Sequence, residues 1–155
     1  MIEIQWKFKK WDDNVHILPE VPQTLLKLKE MDYLLGIISN GSQRLLKKRF
    51  KPYLYLFDIL VDSKSLKYKK PSPIPLLYAV NKLNTTLHDT IIVGDTLVDI
   101  LAAQKAKMEI VLTKTGVFGE PPLDHVNKPP VAIIPVVGKD LLKFLKANHL
   151  QSSDK

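Results

Sequence analysis

The chain has 155 residues, no cysteine and a formal net charge of +7. This length fits one domain with its own core, and the absence of cysteine excludes disulfides and thiolate zinc sites. No apolar run is as long as a membrane span and no signal peptide is recognisable, so we expect a cytoplasmic protein.

The positive charge comes almost wholly from lysine, and Arg44 and Arg49 are the only arginines. The lysines form short, scattered runs at 7–10, 47–51 and 67–70. A nucleic-acid surface more often carries arginine, with aromatic residues placed for base stacking. The pattern therefore favours solvated lysine faces, and neither a nucleic acid nor a membrane is an expected partner.

Helix-like and strand-like segments alternate along the chain from residue 21 onward. Apolar periodicity and end signals predict helices over 21–31, 42–50, 72–83, 97–106 and 139–147, and strands over 34–38, 57–61, 90–95, 109–113 and 131–134. Such alternation predicts an α/β fold, a three-layer sandwich with a Rossmann-like parallel sheet and helices on both faces. We expect a single domain over residues 1–150, in which the segment 1–20 has no assigned structure, and a mobile tail over 151–155.

The stretch TIIVGDTLVDI, residues 90–100, is the most informative part of the sequence. Its apolar residues run into Gly94, as in a buried strand that ends at a tight turn. Ligands of open α/β sheets bind outside such strand ends, and a pair of carboxylates there, Asp95 and Asp99, suits a hard cation such as Mg²⁺. An alternative makes Asp95 the N-cap of the following helix and Asp99 a solvated residue of its first turn.

Two further segments precede this one in the chain. ISNG at 38–41 ends a strand, KKP at 69–71 opens a helix, and GDTLVD at 94–99 ends another strand. They resemble motifs II, III and IV of the haloacid dehalogenase (HAD) superfamily, and above all its small phosphatases such as phosphoglycolate phosphatase. The flanking segments LFDILVDS and AAQKAKMEIVLTKTG are similar to the family as well, and the likeness covers residues 18–118. The resemblance implies a HAD-like core that hydrolyses a phosphate ester, although no cap domain is recognisable.

The resemblance also implies roles in binding a small phosphorylated molecule. Ser39 would hydrogen-bond the transferring phosphoryl group, assisted by Asn40 and by the N–H groups of the turn at Gly41. Lys70 would neutralise charge on the phosphoryl oxygens and on the nucleophile. Phosphoryl transfer depends mainly on such positioning and charge stabilisation. Ser39, Asn40 and Lys70 are therefore the expected catalytic residues.

The carboxylates of GDTLVD are assigned to a metal site by the same resemblance. Asp95 would ligate Mg²⁺, directly or through water, and Asp99 would support that ion. The implied cofactor is therefore Mg²⁺.

Lys107 departs from the family, which usually has glycine at this place. The position follows a helix and often needs a positive φ. Lysine in that conformation costs on the order of 1 kcal/mol, which affects stability rather than catalysis.

Motif I of the family, DxDGT at the end of the first strand, does not occur in this sequence. In the family its first aspartate is the nucleophile that forms an aspartyl-phosphate, and its second is the general acid and base. The early acidic residues Glu3, Asp12, Asp13 and Glu20 do not have the context of that motif. We therefore expect impaired phosphatase activity, with the missing carboxylate supplied by an upstream segment or another chain, as in a homo-oligomer. The alternative is an inactive remnant that binds a phosphorylated ligand or a protein partner.

The first residues allow two interpretations. In the first, the chain lacks the family's amino-terminal part, Met1 starts within a helical cap, and the core has no central strand. In the second, residues 2–8 are the first strand, and Lys9 and Trp11 fall where the motif I aspartates belong. The alternation of apolar and polar residues over 2–8 suits a half-exposed strand better than a central one, which favours the first interpretation.

Overall fold

The computed structural model describes residues 2–4, 17–62, 66–115, 123–124 and 126–152. Within these ranges the strands are β1 (Ile2–Ile4), β2 (Leu35–Ser39), β3 (Ile59–Asp62), β4 (Ile91–Gly94), β5 (Glu109–Thr113) and β6 (Ala132–Ile134). The helices are α1 (Glu20–Glu30), α2 (Gln43–Arg49), α3 (Ile74–Lys82), α4 (Leu97–Ala106) and α5 (Lys139–Ser152), with a 3₁₀ helix at Lys51–Leu56. No helix in the described part is both long and apolar enough to cross a membrane.

The six strands pair in parallel in a single sheet with the order β3-β2-β1-β4-β5-β6. Successive residues of a strand face opposite sides, so Ile92 packs with α3 and α4 whereas Val93 packs with α1 and α5. Helices thus cover both faces, as is usual for a parallel sheet. The α/β sandwich that the alternating segments predicted is confirmed. The strand order reverses at β1, and ligand sites of open α/β sheets lie at the carboxyl ends of the strands around such a point.

The favoured interpretation of the first residues is wrong in one part, the absence of a central strand, and its missing amino-terminal part stays a prediction. Residues Ile2–Ile4 lie between β2 and β4, with Ile2 opposite Leu35 on one side and Ile4 opposite Val93 on the other. The core therefore has its central strand. The second interpretation is right for these three residues, while the rest of its proposed strand, with Lys9 and Trp11, lies outside the described residues. A strand this short is too brief for a period-2 pattern to identify, and backbone pairing on both edges decides its place.

Element boundaries follow local signals closely in the second half of the chain. α4 and β5 occupy the predicted residues 97–106 and 109–113. α5 continues to Ser152 instead of ending at residue 147, so residues 151 and 152, which were assigned to the mobile tail, are helical. No glycine or proline follows residue 147 to end that helix earlier.

Lys107 ends α4 in the left-handed conformation, with φ 59° and ψ 35°, as predicted from the family's glycine there. We expect Lys107→Gly to raise the free energy of unfolding by about 0.5–1 kcal/mol, because glycine adopts this conformation without strain. Urea denaturation followed by circular dichroism would measure the change. Lys105→Gly is the matched control: it lies inside α4 and should lower stability by about 1 kcal/mol. Two changes of the same sign would contradict the prediction.

Candidate functional site

The motif side chains meet at the carboxyl ends of β2 and β4. Ser39 is the last residue of β2, and Asp95 directly follows the last residue of β4. Lys70 precedes α3 in the chain, yet its Nζ lies 3.3 Å from Oδ1 of Asp99, and both side chains are only 2% exposed. The fold therefore brings the KKP and GDTLVD segments into direct contact through a buried ion pair.

The end of β2 holds Lys70 by both its side chain and its backbone. Nζ of Lys70 donates to the carbonyl oxygen of Ile38 at 2.6 Å. The side-chain amide of Asn40 brackets the Lys70 backbone: Nδ2 donates to the Lys70 carbonyl at 2.8 Å, and Oδ1 accepts from the Lys70 N–H at 2.9 Å. The peptide bond from Lys70 to Pro71 is cis. Because a buried charge is costly unless it is paired and hydrogen-bonded, these contacts keep the ammonium group at the strand ends.

Ser39 and Asn40 differ in what their side chains do. Oγ of Ser39 accepts a hydrogen bond from the N–H of Gly41 at 3.0 Å. A hydroxyl that accepts in this way keeps its own hydrogen as a donor, so Ser39 can donate to an anion at the strand ends. The Asn40 amide instead holds Lys70, which makes it a positioning residue. Its direct contact with a ligand, and that of the Gly41 N–H, stay predictions.

Asp99 is buried and closely surrounded by hydrogen-bond donors. Its Oδ2 accepts from the N–H of Asp95 at 3.3 Å and from Thr96 twice, at 3.0 Å from N and 2.6 Å from Oγ1. Thr96 is the N-cap of α4, and it forms a reciprocal capping box with Asp99. The alternative in which Asp95 caps the helix and Asp99 is solvated is therefore wrong, since Thr96 is the cap and Asp99 is 1% exposed.

This geometry agrees with comparisons to known proteins. The sequence model of the haloacid dehalogenase-like hydrolases matches residues 2–113, which include β1 and all three motifs. The chain belongs to the haloacid dehalogenase-like hydrolase family. Its match to that family covers the HAD-type sheet from β1 to β5.

Relatives and solved structures of HAD proteins show how far the likeness extends. The chain is 37% identical over 101 residues to phosphoglycolate phosphatase of Aquifex aeolicus, which covers 63% of this chain and 47% of that protein. It is 35% identical over 108 residues to phosphoglycolate phosphatase of Colwellia psychrerythraea. That match covers 65% of this chain and 46% of the relative. Among solved structures, a HAD phosphatase from Thermococcus onnurineus superimposes with a TM-score of 0.70 and 26% identity, over 83% of this chain and 58% of that one. The chain thus spans about half the length of the curated relatives it matches.

The contacts of Asp99 bear on the Mg²⁺ that the HAD resemblance implies. One oxygen of Asp99 faces Lys70 and the other accepts three hydrogen bonds, so this carboxylate fits a supporting role and not metal ligation. The Asp95 side chain, 4% exposed, fits as a single carboxylate ligand. Among the described residues, no group of three or more acidic, histidine or cysteine side chains could hold a metal ion. Mg²⁺ is usually held by one or two carboxylates together with water and substrate phosphate oxygens, so the single carboxylate of Asp95 suits that ion without a protein cage.

Two residues of the HAD site were missed at the level of sequence. Thr96 was overlooked although the pattern Thr-x-x-Asp before an apolar run indicates a capping box. Asp62 follows the predicted strand 57–61, and no role was predicted for it. It is the last residue of β3, lies opposite Ser39 in the sheet and is 3% exposed. It therefore adds a buried carboxylate at the same edge of the sheet as the motif residues.

Proposed function

We propose that this chain binds a small phosphorylated molecule at the strand ends and carries a HAD phosphatase site whose hydrolysis is impaired. The observation that supports the proposal most directly is the buried ammonium group of Lys70, held between the Ile38 carbonyl and Asp99. A positive charge fixed at the carboxyl ends of a parallel sheet suits a phosphate ester, because preorganised charge is worth more in a site that excludes water. Ser39 would add a hydroxyl donor from the end of β2.

The impairment follows from the residues after the central strand. In the covalent route a carboxylate oxygen attacks phosphorus, the alcohol leaves, and water then cleaves the aspartyl-phosphate. Ile4 ends β1, and the sequence that follows it, Gln5 to Trp11, contains no aspartate or glutamate. Hydrolysis would therefore need a carboxylate from an upstream segment or a complementing chain, such as a second copy in a homo-oligomer.

The class of ligand is a phosphate monoester of a small molecule. Relatives named phosphoglycolate phosphatase are similar over the motif-bearing core, and HAD phosphatases are generally metal-dependent. Any hydrolysis by this chain would therefore depend on Mg²⁺, with Asp95 as the carboxylate that contacts the ion. The alternative is a remnant without turnover that keeps the phosphate site, with a protein partner as a further prediction.

A phosphatase assay with its own control tests the proposal. With p-nitrophenyl phosphate and Mg²⁺, we expect the wild-type chain to hydrolyse substrate no faster than Asp95→Asn, because both lack the nucleophile. Inorganic phosphate should nevertheless raise the melting temperature of the wild type, as a ligand of the folded state does. Turnover that disappears in Asp95→Asn would contradict the impairment, and size-exclusion chromatography at several concentrations would then test for a complementing copy. Absence of both turnover and stabilisation by phosphate would contradict the phosphate site itself.

A further inference from the structure

We propose that the outer face of α3 is a docking surface for an amphipathic helix of a partner protein, one whose apolar residues are flanked by acidic residues. The surface is formed by Ile74, Leu77 and Tyr78, which we call the α3 stripe. The inference goes beyond the phosphate site and does not depend on it. Three observations support it: the apolar character of both faces of α3, the spacing of the stripe and the charge around it.

The helix α3 is apolar on its outer face as well as on its inner face. It packs against β2, β3 and α4, and its buried residues are Pro75, Leu76, Ala79 and Val80. On the outer side Ile74 is 37% exposed, and Leu77 and Tyr78 are each 38% exposed. A helix that is apolar all round is normally covered on all sides. Grouped apolar side chains with polar residues at their edge are typical of interaction sites.

The α3 stripe has the spacing of a helix-packing surface. Ile74 and Tyr78 are four residues apart and Leu77 is three residues from Ile74, so the three side chains lie on one face. Lys82 continues the row of Ile74 and Tyr78 by one more step of four. Rows with this spacing form ridges that fit into the grooves of a second helix. The shape of the surface therefore favours a helical partner over an extended peptide, which adds to an open sheet edge.

Positive charge lies at both ends of the stripe. Nζ of Lys82 lies 5.6 Å from the ring centroid of Tyr78. At the other end, the carbonyl oxygen of Lys69 accepts a hydrogen bond from the N–H of Ser72 at 2.9 Å, which places Lys69 beside the start of α3. Both lysines are exposed. The sequence from 63 to 88 contains no aspartate or glutamate, and the only acidic residue of the neighbouring α4, Asp99, is buried.

This charge decides between the candidate occupants. A second copy of the chain would bring the same lysines to a two-fold interface, where like charges repel. Carboxylates beside the apolar residues of a partner helix would instead face Lys69 and Lys82. In such an interface the apolar centre supplies most of the affinity, and the charges at its rim select the partner. An acidic amphipathic helix is thus the occupant that complements both the shape and the charge of the α3 stripe.

Fluorescence anisotropy with labelled peptides tests this inference. The probe is a designed helical peptide with leucine at every third or fourth position and glutamate on its other face. One control peptide has lysine in place of each glutamate, and another has the composition of the probe in scrambled order. We expect the probe to bind the wild-type chain about tenfold more tightly than either control. Because rim charges are screened by salt, binding should weaken in about 0.5 M NaCl.

Variants of exposed residues locate the bound peptide. Leu77→Gln should weaken binding of the probe by about tenfold, because it removes an apolar residue at the centre of the stripe. Leu26→Gln is the matched control: this leucine is 41% exposed on α1, away from the stripe, and its variant should bind as the wild type does. Lys82→Glu should weaken binding of the glutamate peptide and strengthen binding of the lysine peptide. Lys27→Glu, an exposed position of α1, should change neither by more than about twofold. Circular dichroism would verify that each variant is folded.

Four results would overturn the inference. The first is binding of the probe no tighter than that of its scrambled form, and the second is an equal loss in Leu77→Gln and Leu26→Gln. The third is a dimer in size-exclusion chromatography that Leu77→Gln abolishes, which would assign the stripe to a second copy of the chain. The fourth is binding to vesicles of phosphatidylcholine and phosphatidylserine that Leu77→Gln abolishes, without any preference among the peptides, which would assign the stripe to a membrane surface.

Discussion

Lys70→Met is expected to lower the free energy of unfolding by about 3–5 kcal/mol, since it leaves the buried Asp99 without its counter-charge. Oδ1 of Asp99 would lose the Lys70 ammonium, and the Ile38 carbonyl would lose its donor at 2.6 Å. The neutral methionine retains most of the volume of lysine, so the effect comes mainly from charge and hydrogen bonding and not from a cavity. Urea denaturation followed by circular dichroism would measure the loss.

A double-mutant cycle isolates the ion pair. Asp99→Asn alone should also destabilise the protein, because it leaves the Lys70 ammonium buried opposite a neutral amide. The combination of Lys70→Met with Asp99→Asn removes both charges, so its cost should be clearly smaller than the sum of the two single costs. Lys69→Met is the control: its side chain is exposed, and the change should stay within about 0.5 kcal/mol. Equal effects at positions 69 and 70, or strict additivity in the cycle, would contradict a buried pair.

Gly94→Ala is expected to destabilise the protein by about 3 kcal/mol, because the added methyl group overlaps Asp99. The new Cβ would lie 2.6 Å from Cβ of Asp99, and neither atom sits at the flexible end of a side chain. Relief would require β4 to move away from the start of α4, where the capping box holds Asp99 and Thr96 together. The same displacement would pull Asp99 from Lys70, so phosphate binding should weaken along with stability.

Gly138→Ala is the matched control for this substitution. A Cβ there would meet Val136 at 3.5 Å and Glu20 at 3.6 Å, which are ordinary van der Waals distances. We expect a cost of at most about 1 kcal/mol at this site, near the start of α5. Thermal and urea denaturation of both variants would give the comparison. If Gly94→Ala proved as stable as Gly138→Ala, the close contact between β4 and Asp99 would not hold in solution.

Local sequence signals were sufficient for most of the fold. The bounds of α4 and β5 and the left-handed conformation of Lys107 depend on residues that are neighbours in the chain. Periodicity and helix-end signals act over such short distances, which is why the bounds could be predicted, whereas the conformation of Lys107 was expected from the glycine that the family usually has there. The alternation of helices and strands then led to the parallel three-layer sandwich, because parallel neighbours need a crossover connection.

Other features of the site were inaccessible to this reasoning because they depend on distant residues. The amide of Asn40 holds the backbone of Lys70, which is 30 positions away in the chain. As residues of a strand-end turn, Ser39 and Asn40 cannot be told apart from sequence. Only the packing of the KKP segment against β2 gives their side chains different roles. The sequence allowed Asp99 to be a residue that supports a metal ion or a solvated residue of a helix. Its burial against Lys70 and Gly94 excludes the solvated alternative.

The sequence by itself determined the family motifs, their order, the α/β alternation and the absence of DxDGT. Only the tertiary structure decided that Ile2–Ile4 is the central strand, since its place depends on hydrogen bonds to β2 and β4 and not on its own short pattern. The tertiary structure also decided what the charged motif residues contact. The buried Lys70 and Asp99 require partners from other segments, and those partners come together only when the sheet forms, because burial makes an unpaired charge too costly.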